Sequence, residues 1–339
     1  MKNLLYNYKI FNVYYGILKN NRINEINLSL LYIIHYVTTK QILNNIAKEK
    51  LKFYFNITCK KSNQININYI YNNRSFKFFN LCIYKLLKGY SIQYILKKWY
   101  FKGFLIFCKP PVLVPRIETE KIIDICIYEL NLRQNLTISN GINILEIGIG
   151  SGCICVALLK YIMNVNKNYL KKIKYIRYKG LDIEKTAIEL SYKNLDINNI
   201  SISKQTSNKF FLEFKNISFE SYVNEHISNK YLKYDILISN PPYIPLNLKN
   251  NSSLNLKFED KRALYSGEDG LDLIKLIVIN SKFLVKIGGF VLLEIFHSHD
   301  KLITSFILNN QSLHTSHISS YFFIKDDFNK IRFLLININ

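Results

Sequence analysis

The stretch that decides the fold is INILEIGIGSG, residues 142–152, and the apolar segment Cys153 to Met163 follows it directly. Residues 142–147 form a short apolar run rich in β-branched side chains, which predicts a buried strand, and the following segment has the length of a helix. The glycines therefore form a strand-to-helix turn, where positive φ angles are tolerated and a ligand can approach free backbone N–H groups. This pattern predicts the first βα unit of a doubly wound α/β sheet.

The spacing of these glycines indicates the kind of ligand. They follow G-x-G-x-G rather than the dinucleotide pattern G-x-G-x-x-G, and a glutamate stands two positions before the first glycine. A cofactor with an ammonium and a ribose but no pyrophosphate suits this form, which favours S-adenosyl-L-methionine; a plain tight turn is the alternative. The predicted cofactor contacts in this stretch are Glu146, Gly148, Ile149, Gly150, Ser151 and Gly152.

A second strand is predicted at residues 176–182 and ends in Asp182. A carboxylate at this position can accept hydrogen bonds from both hydroxyls of a ribose. The distance from Gly150 is longer than usual, and a Lys/Asn-rich insertion around residues 164–174 accounts for it. The alternative role for Asp182 is an N-cap of the helix predicted at residues 184–194.

The motif Asn240-Pro241-Pro242-Tyr243 follows a third strand-like run, residues 234–239. An amide or exocyclic amino nitrogen is a poor nucleophile because its lone pair is delocalised, so a catalyst must hold its N–H groups while a methyl donor approaches in line. The asparagine oxygen and the carbonyl of the next proline supply two acceptors on a rigid turn, and the tyrosine supplies a flat wall. By itself the motif is also consistent with a tight turn, but with the glycine loop it predicts methylation of a planar nitrogen.

Together these motifs resemble the protein-(glutamine-N5) methyltransferases of the release-factor-modifying HemK type, from about Leu81 to Asp300. The chain departs from the family pattern at four places. Ser91 replaces a proline, and Phe296 stands where the family commonly has glycine. Residues 205–210 differ from the family's adenine-binding segment, and residues 213–231 look inserted. The further segments that match the family in order are GYSIQYI at 89–95, FKG at 101–103, VLVPRIETE at 112–120, ALYSGEDGL at 263–271 and the Gly288-Gly289 to Glu294-Ile295 strand.

The resemblance implies a Rossmann-like class I S-adenosylmethionine-dependent methyltransferase with a small N-terminal helical domain. It implies methyl transfer from S-adenosyl-L-methionine to the glutamine side chain in the Gly-Gly-Gln loop of class 1 peptide-chain release factors. By matching position, residues 148–152 and Asp182 bind the cofactor, residues 240–243 hold the glutamine, and Asn240 also touches the cofactor. Two alternatives stay open: an adenine-N6 methyltransferase acting on DNA or RNA, and an inactive cofactor-binding scaffold.

Positive charge is concentrated at the N-terminal end. The first hundred residues hold sixteen Lys and Arg against Glu25 and Glu49, and so contribute +14 of the formal +22. Four explanations compete for this excess of positive charge: a surface for a partner that sits on RNA, direct nucleic-acid binding, an organelle-targeting extension, and the codon bias of an AT-rich genome. We expect a basic helical substrate-recognition domain at 1–92 with a candidate targeting extension at 1–20, a hairpin linker at 93–115 and the catalytic domain at 116–339.

The remaining expectations concern environment. We favour a monomer that binds a protein partner rather than nucleic acid, in a mitochondrion- or plastid-like organelle, with the cytoplasm as the alternative. The chain has no run of eighteen apolar residues, so we expect no stable membrane association. The six cysteines lack C-x-x-C spacing and are expected to be reduced core residues; His297 and His299 are expected at the surface or a strand end, and no metal is predicted.

Overall fold

A computed structural model describes Leu81, Lys85 and residues 90–133, 141–164, 173–200, 210–229, 231–251, 256–311 and 315–339 of the chain. The chain divides into two compact units, residues 1–96 with 253–258 and residues 97–252 with 259–339. In the first unit, helix α1 is Ile92–Leu96, and the Tyr90 ring stacks on Phe258 with ring centroids 3.6 Å apart. The helical domain predicted at 1–92 and the targeting extension lie almost wholly outside the described residues.

Among the described residues, the second unit contains the remaining helices and strands named here. It opens with the predicted hairpin of β1, Lys98–Phe101, and β2, Phe104–Phe107, which pair antiparallel around Lys102-Gly103. The elements that follow are α2 Lys121–Leu132, β3 Ile142–Ile147, α3 Cys153–Asn164, β4 Ile176–Asp182, α4 Lys185–Ile197, β5 Phe210–Asn216, α5 Phe219–Asn229, β6 Tyr234–Ser239, α6 Asp272–Leu284, β7 Val285–Glu294, α7 Asp300–Asn309, β8 Ile318–Lys325 and β9 Ile331–Ile338. Short 3₁₀ turns occupy Glu118–Glu120, Leu246–Asn251 and Lys261–Ala263.

Seven strands form one sheet in the order β5-β4-β3-β6-β7-β9-β8. The first five run parallel, and β9 is antiparallel to both β7 and β8. All six residues of β3 are buried, as expected for a central strand covered on both faces. Alternate side chains enter different cores: Ile144 packs with α2 and α3, whereas Leu145 packs with α5 and α6.

The three strands predicted around the motifs are confirmed, with the bounds that the apolar runs indicated. The expectation that residues 213–231 are inserted is wrong, because they form part of β5 and the whole of α5, which are regular elements of the fold. The alternation of exposed and covered residues along β5 reflects its place at the edge of the sheet, where polar side chains face solvent. The insertion predicted around 164–174 lies mostly outside the described residues.

The described cysteines agree with the prediction of reduced core residues. Cys108, Cys126, Cys153 and Cys155 are buried and carry free thiols, while Cys59 and Cys82 are outside the described residues. None of the helices in the described part of the chain is long and apolar enough to cross a membrane.

Candidate active site

A cavity of about 320 Å³ lies at the carboxyl ends of β3, β4 and β6. Ligands bind at this edge in open α/β sheets, and the three sequence motifs meet there. Of the residues predicted to act, three lie outside the cavity lining: Gly152, Tyr243 and Pro241, which is buried. The predicted residues that line the cavity are Glu146, Gly148, Ile149, Gly150, Ser151, Asp182, Asn240 and Pro242.

The glycine loop is fastened to the end of β4. The backbone N–H groups of Gly148 and Ile149 donate to the Leu181 carbonyl at 2.8 and 2.9 Å. Gly148 has φ +70°, and a Cβ added there would meet no atom within 4 Å, so the loop leaves open space at this point. Gly152 has a different purpose, because an added Cβ would lie 2.9 Å from the Cβ of Ser191 on α4. It permits close packing of the loop against that helix.

Asp182 joins the glycine loop to the turn after β4. Its Oδ2 accepts from Gly150 N at 2.9 Å and its Oδ1 accepts from Glu184 N at 2.9 Å. The N-cap of α4 is Glu184, which accepts from Thr186 N at 3.3 Å, so the capping role does not fall to Asp182. Burial raises the pKa of Asp182, and the two backbone N–H groups oppose that rise. Each carboxylate oxygen keeps a lone pair for a further donor, such as a ribose hydroxyl.

Glu146 presents a buried carboxylate to the same cavity. Its side chain accepts a hydrogen bond from the Tyr178 hydroxyl through Oε2, while Oε1 is buried and has no hydrogen-bond partner within the described structure. Burial raises the pKa of Glu146 to about 8, the nearby Asp182 adds to the rise, and the Tyr178 hydrogen bond opposes it. An unpaired buried acceptor is costly, and a cationic ligand group would satisfy it.

Asn240 begins the turn after β6, and its amide is held from behind. Asn240 Nδ2 donates to Thr119 Oγ1 at 3.1 Å, and Thr119 Oγ1 donates to Glu294 Oε2 at 2.7 Å. The Tyr243 hydroxyl donates to the other oxygen, Glu294 Oε1, at 2.9 Å. Thr119 and Glu294 lie within the family-like segments of the sequence, but neither residue was predicted to act at the site. Their separation of 175 residues gives no local signal of the contact.

The segment 263–271 supports the turn that follows Tyr243. Ile244 N donates to the Leu264 carbonyl at 2.9 Å, and a Cβ added to Gly270 would lie 2.3 Å from the Tyr243 carbonyl oxygen and 3.1 Å from His299 Cε1. The glycine therefore allows a backbone approach that no other residue permits. His299 is only 1 % exposed, so the expectation that it lies at the surface or a strand end is wrong; it precedes α7 and packs under this segment.

The cavity is acidic although the chain as a whole is strongly basic. Six carboxylate side chains and two guanidinium groups line it. Such a lining suits a cationic ligand and disfavours a pyrophosphate, so the residues present fit S-adenosyl-L-methionine, which carries an ammonium and a sulfonium. The charged residues of the lining are Glu146, Asp182, Glu184, Glu220, Asp260, Asp272, Arg116 and Arg262. Among the described residues, no cluster of three His, Cys, Asp or Glu side chains is placed to bind a metal ion.

Three features define the class of protein. They are the order of the strands in the sheet, the antiparallel strand β9 between β7 and β8, and the glycine loop beside the carboxylate that ends β4. They make the second unit a Rossmann-like class I methyltransferase fold, as the sequence predicted.

Comparison with known proteins gives the relatives of the chain, although no family model matches it. A bifunctional methyltransferase of Rickettsia felis is 28% identical over 73% of this chain and 46% of its own length. The human MTRF1L release factor glutamine methyltransferase is 28% identical over 67% of this chain and 62% of its own. The release factor glutamine methyltransferase of Aquifex aeolicus is 29% identical over 64% of this chain and 66% of its own.

These relatives support the family resemblance found in the motifs: the chain is similar to release factor glutamine methyltransferases. The matches to the first two relatives span about half to three fifths of those proteins.

Proposed function

We propose that the protein transfers a methyl group from S-adenosyl-L-methionine to the side-chain amide nitrogen of the glutamine in the Gly-Gly-Gln loop of a class 1 peptide-chain release factor. The observation that carries the proposal is the position of Asn240, which lines an acidic cofactor-sized cavity with its amide braced from behind. The names of the relatives support the same substrate.

The cofactor contacts are assigned to the two strand ends that precede Asn240. Asp182 would hold the ribose hydroxyls, Glu146 would face the ammonium, and the glycine loop would cover the cofactor between them. S-adenosyl-L-methionine supplies an electrophilic methyl group on a sulfonium sulfur. The unpaired Oε1 of Glu146 and the remaining lone pairs of Asp182 support this assignment.

The chain's own part in the reaction is to hold and polarise the amide. The side-chain oxygen of Asn240 and the carbonyl of Pro241 accept from the two N–H groups of the glutamine, which keeps the nitrogen in line with the methyl donor. Both acceptors bind more strongly as that nitrogen becomes positive, so their effect is greatest in the transition state. No general base is needed, because the methylated nitrogen is strongly acidic and releases its proton to water.

The proposal extends to partner and place. We assign recognition of the release factor to the basic segment 1–92, and its charge also supports an organelle location with residues 1–20 as a targeting extension. We also propose that the active form is a monomer. A fluorescent fusion to residues 1–92 should enter an organelle, and a uniformly cytoplasmic signal would overturn that placement.

The test of the function is a competition between substrates. Purified protein, methyl-labelled S-adenosyl-L-methionine, a class 1 release factor and AT-rich DNA or RNA are incubated together, and the labelled fractions are separated. Label in the release factor is expected. Label in adenine would replace the proposal with the adenine-N6 methyltransferase alternative. No label in either fraction would favour the alternative that the protein is an inactive cofactor-binding scaffold.

A further inference from the structure

A continuous line of buried and partly buried hydrogen bonds lies behind Asn240. It runs from Asn240 Nδ2 to Thr119 Oγ1 and on to Glu294 Oε2, and the Tyr243 hydroxyl reaches Glu294 Oε1. Thr119 is 2 % exposed and Glu294 is 1 % exposed. Three separate parts of the chain meet here: the 3₁₀ turn before α2, the turn after β6 and the last residue of β7.

When Glu294 is ionised, the donors and acceptors in this line can be arranged in only one way. A carboxylate only accepts, so the single hydroxyl proton of Thr119 is directed to Glu294. The Thr119 oxygen can then only accept, and Asn240 must turn its NH₂ group toward it. The asparagine oxygen is therefore the group that remains for a ligand in the cavity.

This arrangement matters because an asparagine amide has nearly the same shape in either orientation. If the amide rotates by half a turn, its NH₂ group meets the N–H groups of the substrate, and a required acceptor becomes a repelling donor. We propose that Thr119 and Glu294 are positioning residues that hold the Asn240 amide with its oxygen toward the reacting nitrogen, with Tyr243 fixed by the same carboxylate. The inference rests on the proposed function and adds to it the residues that set the orientation.

The surroundings of Glu294 are consistent with an acceptor. Burial raises its pKa, while the hydrogen bonds from Thr119 and Tyr243 and the charge of Arg332 oppose that rise and favour the carboxylate; Glu118 acts in the other direction. A buried carboxylate that accepts on both oxygens gives the network a fixed direction, which a neutral pair of side chains would lack.

The experiment compares Thr119→Val, which keeps the shape and removes the hydroxyl, with Thr119→Ser, which restores it. Thr315→Val is the matched control, because Thr315 is equally buried and its hydroxyl donates to the Ile307 carbonyl at 2.8 Å on α7. Thr119→Val should lower kcat about 10- to 100-fold, with the Kd for S-adenosyl-L-methionine changed only about 2-fold. Thr119→Ser should recover most of the rate, and Thr315→Val should leave it unchanged.

A double-mutant cycle separates orientation from general structural damage. If Thr119 acts through Asn240, then Thr119→Val should cost little further rate once Asn240→Ala is present. Fully multiplicative losses, or normal turnover by Thr119→Val, would overturn the inference. If Thr119→Val does not fold, Glu294→Gln is measured instead; it should likewise lower kcat, and normal turnover by that variant has the same consequence. A wild-type protein that transfers no methyl to glutamine refutes both this inference and the proposed function, whereas an active wild type with an unaffected variant refutes the inference alone.

Discussion

Glu146 links the stability of the fold to pH, and Glu146→Gln tests that link. Burial, reinforced by Asp182, raises the pKa of Glu146 from 4.5 to about 8, against the Tyr178 hydrogen bond. Because the folded-state pKa lies above the unfolded value, the folded chain binds the extra proton between these two pH values. The resulting stabilisation is fully present below about pH 4.5 and is lost as the pH rises through about 8.

The size of the effect follows from the two pKa values. The difference between 4.5 and about 8 corresponds to about 5 kcal/mol of unfolding free energy between the low- and high-pH limits. Glutamine does not titrate, so Glu146→Gln should gain stability relative to wild type on going from pH 5 to pH 9, by an amount of this order.

Urea unfolding of both proteins at pH 5, 7 and 9 measures the difference. Glu129→Gln is the control, because Glu129 is a buried carboxylate on α2 that pairs with Arg133 outside the cavity lining. That variant retains Glu146 and should follow the wild-type pH trend. Equal pH trends for wild type and Glu146→Gln would show that Glu146 does not have a raised pKa in the folded protein. If the Glu146 carboxylate also faces a bound ammonium, cofactor binding at pH 7 should release a proton, seen as a buffer-dependent binding enthalpy.

The remaining predictions concern the cofactor, the turn and the N-terminal segment. Asp182→Ala should weaken S-adenosyl-L-methionine binding by roughly 1.5 to 3 kcal/mol in calorimetry. The control Asp235→Ala removes a carboxylate that accepts from Asn143 N at the opposite end of the sheet, and it should leave the binding unchanged. Equal losses of affinity in the two variants would show that Asp182 has only a structural role. Asn240→Ala should slow methylation about 10² to 10³-fold with a smaller loss of cofactor affinity, and near-normal turnover would remove it from catalysis. Deleting residues 1–90 should keep cofactor binding while lowering activity on whole release factor, provided circular dichroism shows a folded protein; a full rate would exclude a recognition role.

Much of the fold and cofactor side of the cavity could be predicted because local patterns specify them. The strand at 142–147 is a continuous apolar run, and the glycine spacing fixes the turn that follows it. The edge strand β5 lacks such a pattern, since the exposed Glu213 and the half-buried Lys215 interrupt its apolar residues. A strand with one solvent-facing edge and polar side chains resembles an insertion in sequence.

The support for Asn240 could not be predicted in the same way. Thr119 and Glu294 lie far from Asn240 along the chain, and only the folded arrangement of the turn before α2, the turn after β6 and the end of β7 brings the three residues together. The burial of His299 has the same origin, because it depends on the tight approach of the segment around Gly270. Contacts between distant segments leave no periodic signal, so the residues that orient a site are found less readily than those that form its loops.

The most direct test of the central claim is peptide mass spectrometry of a class 1 release factor after incubation with this protein and methyl-labelled S-adenosyl-L-methionine. We expect one added methyl group on the side-chain nitrogen of the glutamine in the Gly-Gly-Gln peptide, and a greatly reduced yield with Asn240→Ala. A methyl group on any other residue of the release factor, or an unmodified glutamine after label has been consumed elsewhere, would contradict it.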